Sequence, residues 1–162
     1  MTGFDMGDRH TIHAHLQSIS QGGLSLDEDG QCILQDDSGL VFRIEVPQAS
    51  DRVFWIANLG RYTPGGADSA LLEELMRLNH LGLETKGAQF SLASDEPQVV
   101  LWLSQELRLV TEEVFERVTL NFADLAIHWT AKLEALRLTS AGSGAGQGVD
   151  QAGKQGETWL RI

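Results

Sequence analysis

A chain of 162 residues, 42% hydrophobic and 22% charged, has room for one domain around a single core. Twelve Lys and Arg against 23 Asp and Glu give a formal charge of -11, which argues against nucleic-acid binding and against docking on anionic lipid. Cys32 is the only cysteine, so an internal disulfide and a thiolate metal cluster are both excluded.

The first periodic segment spans residues 6–20. Ile12, Leu16 and Ile19 fall on one stripe of a short amphipathic helix, which Gln21-Gly22-Gly23 stops. Asp27-Glu28-Asp29-Gly30 then turns the chain into a strand over 31–35, with Leu24 and Leu26 as a weaker edge piece before it. After the turn Asp36-Asp37-Ser38-Gly39, residues 40–46 alternate: Leu40, Phe42, Ile44 and Val46 face one way, Val41, Arg43 and Glu45 the other. Pro47 to Asp51 breaks the chain before a third strand over 52–59. There Phe54 and Ile56 lie opposite Val53 and Trp55.

Thr63-Pro64-Gly65-Gly66 reads as a loop, and Asp68 or Ser69 can cap a second helix. Its apolar face holds Leu71, Leu72, Leu75, Met76 and Leu78, with Gly82 as the closing glycine. Two strands follow. In the first, Ala88, Phe90 and Leu92 alternate with Gln89 and Ser91; the second, 99–103, is apolar on both sides, as in a sandwiched strand or an interface. Thr111 caps the last and longest helix, and Phe115, Val118, Phe122, Leu125, Trp129, Leu133 and Leu136 recur at steps of three and four. Residues 139–162 read as a flexible Gly/Ser/Ala-rich tail ending in the apolar Trp159-Leu160-Arg161-Ile162. The order α-β-β-β-α-β-β-α predicts an α+β domain over 1–138, a twisted antiparallel sheet flanked by helices.

Catalytic chemistry finds little support. His10, His13 and His15 cluster on the first helix, but His13 and His15 diverge by about 200° at 3.6 residues per turn, so only His10 and His13 share a face. Read as a calcium loop from Asp27, the twelfth position is Ser38 rather than glutamate, and strands flank it. No nucleophile elbow, phosphate-binding glycine loop or dinucleotide fingerprint is present. No catalytic, cofactor-binding or metal-ligating residue is therefore assigned. Without a basic leader followed by an apolar core, and without an apolar run of roughly 20 residues, a reducing cytoplasm is the expected compartment. What remains is an apolar excess beyond one core, which can serve self-association or capture of a partner segment.

The ordered series resembles the Tir-chaperone-like (CesT) family, the class I chaperones of bacterial type III secretion. It is carried by the N-terminal helix, Leu26-Asp27-Glu28-Asp29-Gly30-Gln31-Cys32-Ile33-Leu34, and Leu75-Met76-Arg77-Leu78-Asn79-His80. Gly87-Ala88-Gln89-Phe90-Ser91-Leu92, Val100-Leu101-Trp102-Leu103 and the stripe from Phe115 through Trp129 to Leu133 complete it. The tail after Leu138 departs from it, being longer than the family usually carries. The resemblance implies a homodimer in the cytoplasm of a Gram-negative bacterium. It would hold the N-terminal chaperone-binding segment of one or more secreted effectors extended and competent for export, with no cofactor or enzymatic step. The secretion-apparatus ATPase is a further implied partner, while nucleic acid and membrane insertion are not. Carried over, the dimer interface falls on Leu71, Leu72, Leu75, Met76, Leu101 and Trp102, and effector contacts on Ile12, Leu16, Ile19, Phe42 and Ile44. The alternative is a regulatory or adaptor protein of the same fold that binds a folded partner. A metal-dependent enzyme using His10 and His13 is the reading from a different class.

Overall fold

The computed structural model describes residues 7–66 and 68–143. Its elements follow the expected order: α1 (Gly7–Ile19), β1 (Gln31–Gln35), β2 (Val41–Glu45), β3 (Arg52–Arg61), α2 (Ser69–Leu78), β4 (Gln89–Leu92), β5 (Gln98–Glu106) and α3 (Glu112–Ser143). The strands form one antiparallel sheet in the order β1-β2-β3-β5-β4. No strand forms at Leu24 or Leu26.

The turns are built by the residues that announced them. Asp36 accepts hydrogen bonds from the N–H groups of Ser38 (3.0 Å) and Leu40 (2.9 Å) and from the Ser38 hydroxyl (2.7 Å), closing the β1–β2 hairpin. The Ser38 hydroxyl, with the backbone donors behind it, lowers the Asp36 pKa. Gly30 sits at φ +81°, and a Cβ there would stand 2.5 Å from the Val46 carbonyl oxygen. Only glycine satisfies both constraints.

One face of the sheet is covered. Val53, Trp55, Ala57 and Leu59 of β3, Phe42 and Ile44 of β2, Phe90 of β4 and Val99 and Leu101 of β5 join Phe115, Phe122, Ala126, Trp129 and Leu133 of α3 in one core. The Trp55 indole donates to Thr119 Oγ1 at 2.9 Å, so a buried donor and a buried hydroxyl satisfy each other. Helix α1 adds Ile12 and Leu16 to this core, and α2 adds Leu71 and Leu75.

Several expectations are corrected. Asp68 stands at the N-cap of α2, but its carboxylate accepts from the Thr63 N–H (2.7 Å) and leaves the helix uncapped by that side chain. Helix α2 ends at Leu78, and Gly82 (φ +62°) instead closes a 3₁₀ turn over His80–Gly82. Helix α3 is described as far as Ser143. The remaining tail, 144–162, and the first six residues lie outside the described residues.

Candidate partner-binding surface

Because α1, α2 and α3 all feed the same core, the second face of the sheet carries no helix among the described residues. Strand alternation fixes what it displays. Across the registers Ile33↔Arg43↔Ile56↔Trp102 and Glu45↔Phe54↔Ser104, the outward residues are partly apolar and partly charged. Ile33 is 69% exposed and Val41 50% exposed, while Phe54, Ile56 and Trp102 are half-buried by one another and by their polar neighbours. The Phe54 and Trp102 rings lie 6.2 Å apart.

A groove of about 530 Å³ opens on this face. Its floor is Phe54, Ile56, Val100 and Trp102, and its rim includes Arg43, Asn58, Asp95 and Glu96. A shallower hollow of about 140 Å³ continues it towards β1 through Ile33, Val41 and Ile56.

The two edges of the sheet are not equivalent. On β4, Asn79 acts as a substitute strand: its amide donates to the Phe90 carbonyl (2.9 Å) and its side-chain oxygen accepts from the Phe90 N–H (2.7 Å). That blunts the edge against further pairing. On β1, the Asp27 turn takes up Gln31, whose N–H donates to Asp27 Oδ1 and whose carbonyl accepts from the Asp27 N–H, both at 2.8 Å. The outward N–H and C=O groups of Ile33 and Gln35 have no bonded neighbour among the described residues. Arg9 stiffens this end by donating from Nε to the Val46 carbonyl (3.0 Å) and from Nη2 to the Asp29 carbonyl (3.1 Å).

The site residues expected from the sequence scatter over both faces. Ile12, Leu16 and Ile44 are fully buried and Phe42 is 4% exposed. In the single chain these four pack in one core, Ile12 and Leu16 from α1 and Phe42 and Ile44 from β2. Ile19 remains half-buried at the rim. Leu71, Leu75 and Leu101 are also buried in the core of the single chain. Leu72 and the 55% exposed Met76 stay on the outer flank of α2, followed in the chain by Leu81 and Leu83, 76% and 77% exposed. Trp102 lies on the open sheet face, away from α2. The Asn79 clamp and the Phe54–Ile56 floor were missed, although the strict alternation in β3 already marked Phe54 and Ile56 as one face.

Two of the first-helix histidines lie against protein groups. His13 Nε2 and the Gln17 amide are 3.0 Å apart, and His15 Nε2 lies 3.2 Å from the Val110 carbonyl. Among the described residues no three His, Cys, Asp or Glu side chains converge as metal ligands, and no helix is long and apolar enough to cross a membrane.

Solved chains from type III secretion chaperone complexes share this fold. A chain in the crystal structure of the ExsC–ExsE complex superposes with a TM-score of 0.66 at 20% identity, covering 79% of this chain and 97% of that one. A chain of the HopA1–SchA chaperone–effector complex gives 0.60 at 14% identity, covering 81% and 98%. A chain of the Yersinia pestis chaperone SycH with a fragment of YscM2 gives 0.56 at 13% identity, covering 75% and 98%. No curated protein matches in sequence. The sequence model of the Tir chaperone protein (CesT) family matches residues 10–130, and the chain belongs to that family. It is thus an effector-binding chaperone of type III secretion, and not an enzyme.

Proposed function

We propose that this chaperone holds the N-terminal segment of a secreted effector extended across the open sheet face and along the β1 edge. The observation that carries this reading is the free edge at Ile33 and Gln35 adjoining the apolar floor of Ile56, Phe54 and Trp102. A strand added at β1 gains backbone hydrogen bonds whatever its sequence, while the floor selects apolar side chains at alternate positions. An unfolded client loses conformational entropy on binding, so a long contact is needed to offset it. The charge of -11 keeps such a surface soluble while it is vacant.

A homodimer fits the same reading. Met76 and Leu72 on α2, with Leu81 and Leu83 beyond, form an apolar flank distinct from the client face. Pairing two copies there doubles the client surface. The same reading puts the dimer in the bacterial cytoplasm, with the secretion-apparatus ATPase as a further partner to test.

The experiment is co-expression with the N-terminal segment of each co-encoded secreted protein, followed by light scattering and limited proteolysis. A dimer that protects tens of residues of a segment digested when free is the expected result. A monomer that protects none refutes the reading. Protection of a partner already folded when free favours the adaptor alternative.

A further inference from the structure

The groove over Phe54, Ile56 and Trp102 has a candidate occupant within its own chain. Helix α3 is described as far as Ser143. Before that point, Arg137 Nη2 donates to the Arg61 carbonyl, and Arg61 faces Gln98 across the β3–β5 register. Arg61 also pairs with Glu96 at 3.3 Å, and Glu96 and Gln98 both line the groove. The helix therefore delivers the chain to the end of the sheet where the groove opens, advancing about 9 Å beyond Arg137 at 1.5 Å per residue.

Residues 144–158 contain Gly144, Gly146, Gly148, Gly153 and Gly156 and no proline. Fifteen residues reach at most about 50 Å when extended. A five-stranded sheet is only about 20 Å wide at 4.8 Å per strand, so every part of the open face is within reach. Beyond this stretch lies Trp159-Leu160-Arg161-Ile162, three large apolar residues and one cation. The groove offers an apolar floor, and at its rim Asp95 stands with Arg43 and with Glu96, which is already paired to Arg61. Size and polarity match, and Asp95 is the rim carboxylate with no ion pair among the described residues, open to Arg161.

We propose that Trp159–Ile162 docks in this groove as an internal stand-in for a client and is displaced when a client arrives. The proposal rests on the client reading of the same face. Tethering puts the segment at an effective concentration in the millimolar range, so even a weak four-residue contact is appreciably populated. The cost to a client is the fraction of grooves already filled, which lowers apparent affinity by about three- to tenfold.

The test compares ¹⁵N-labelled full chain with a chain ending at Thr158, without any client. The expected result is that the backbone signals of Phe54 and Ile56 and the indole signal of Trp102 differ between the two. A free peptide of residues 158–162 should move the shortened chain's signals towards the full-chain positions, and Arg161→Glu in the full chain should move them away. Superimposable spectra overturn the proposal. So do signals that shift with protein concentration equally in both chains, since a second copy then covers the groove. With a client segment, the shortened chain should bind three- to tenfold more tightly, and equal affinities overturn the competition. If neither chain binds any client while the spectra still differ, the docking stands and the chaperone reading of this face fails.

Discussion

Strand β3 presents two environments one residue apart. Val53, Trp55, Ala57 and Leu59 point into the core under α3 and are at most 5% exposed, while Phe54, Ile56 and Asn58 point to the uncovered face. Both sets contain large apolar side chains, so hydrophobicity alone does not separate them. The inner set stabilises the fold, whereas the outer set stays available for association. A protein whose work is to hold an unfolded chain needs both kinds of residue on the same strands.

The largest effect that divides the faces comes from adjacent residues. Trp55→Ala removes a fully buried ring and orphans the Thr119 hydroxyl. Its expected cost in urea unfolding is about 3–5 kcal/mol. Ile56→Ala, one residue along, should cost no more than about 1 kcal/mol because the side chain is only half-buried. It should nevertheless weaken client binding about tenfold, as removal of an anchor from an interface does. Equal stability losses at the two positions, with client affinity untouched by Ile56→Ala, would erase the distinction between the faces.

A smaller effect sharpens the contrast between the two edges. Ile33→Pro deletes an outward N–H that no described residue uses, at an edge where proline is tolerated. A stability loss near 1 kcal/mol is expected, together with at least about a tenfold weaker grip on an added strand. Asn79→Ala acts in the opposite sense on β4. It strips the two hydrogen bonds that occupy Phe90, costing about 1–2 kcal/mol, and exposes a second edge. Self-association in sedimentation at raised concentration is the readout. If Ile33→Pro leaves client affinity unchanged, the client does not add to β1.

How far the sequence reveals this arrangement depends on what periodicity measures. Alternation in β2, β3 and β5 correctly sorted residues into two faces, and the step of three and four in α3 identified Phe115, Phe122, Trp129 and Leu133 as one stripe. Periodicity does not say which face a helix will cover. That is a tertiary matter, and it is why Phe42 and Ile44 read equally well as contact surface or core. The same holds for Ile12 and Leu16, whose stripe on α1 packs into the core. The Asn79 clamp left no signal at all, since it joins residues eleven apart through a side-chain amide.

The smallest effect tests the faces chemically at neighbouring positions on β1. Cys32 points inward and is 5% exposed, whereas Ile33 points outward. Burial raises the Cys32 pKa above its ordinary 9.0, with the Asp27 carboxylate adding to the rise and a backbone hydrogen bond from Ser25 opposing it. The thiol is thus both hidden and slow to ionise, and a thiol reagent at pH 8 should label native protein at least about a hundredfold more slowly than urea-unfolded protein. Ile33→Cys combined with Cys32→Ser should react near the unfolded rate. The sign of the linkage follows from the raised pKa: the folded state keeps its proton longer, so the contribution is complete below the ordinary thiol value and is lost as pH climbs from there through the raised folded value. Cys32→Ser should therefore flatten the decline of stability above about pH 9 while leaving its pH dependence near neutrality unchanged. Native Cys32 labelled as fast as the thiol introduced by Ile33→Cys would mean that β1 opens readily, and the fixed edge offered to a client would not exist.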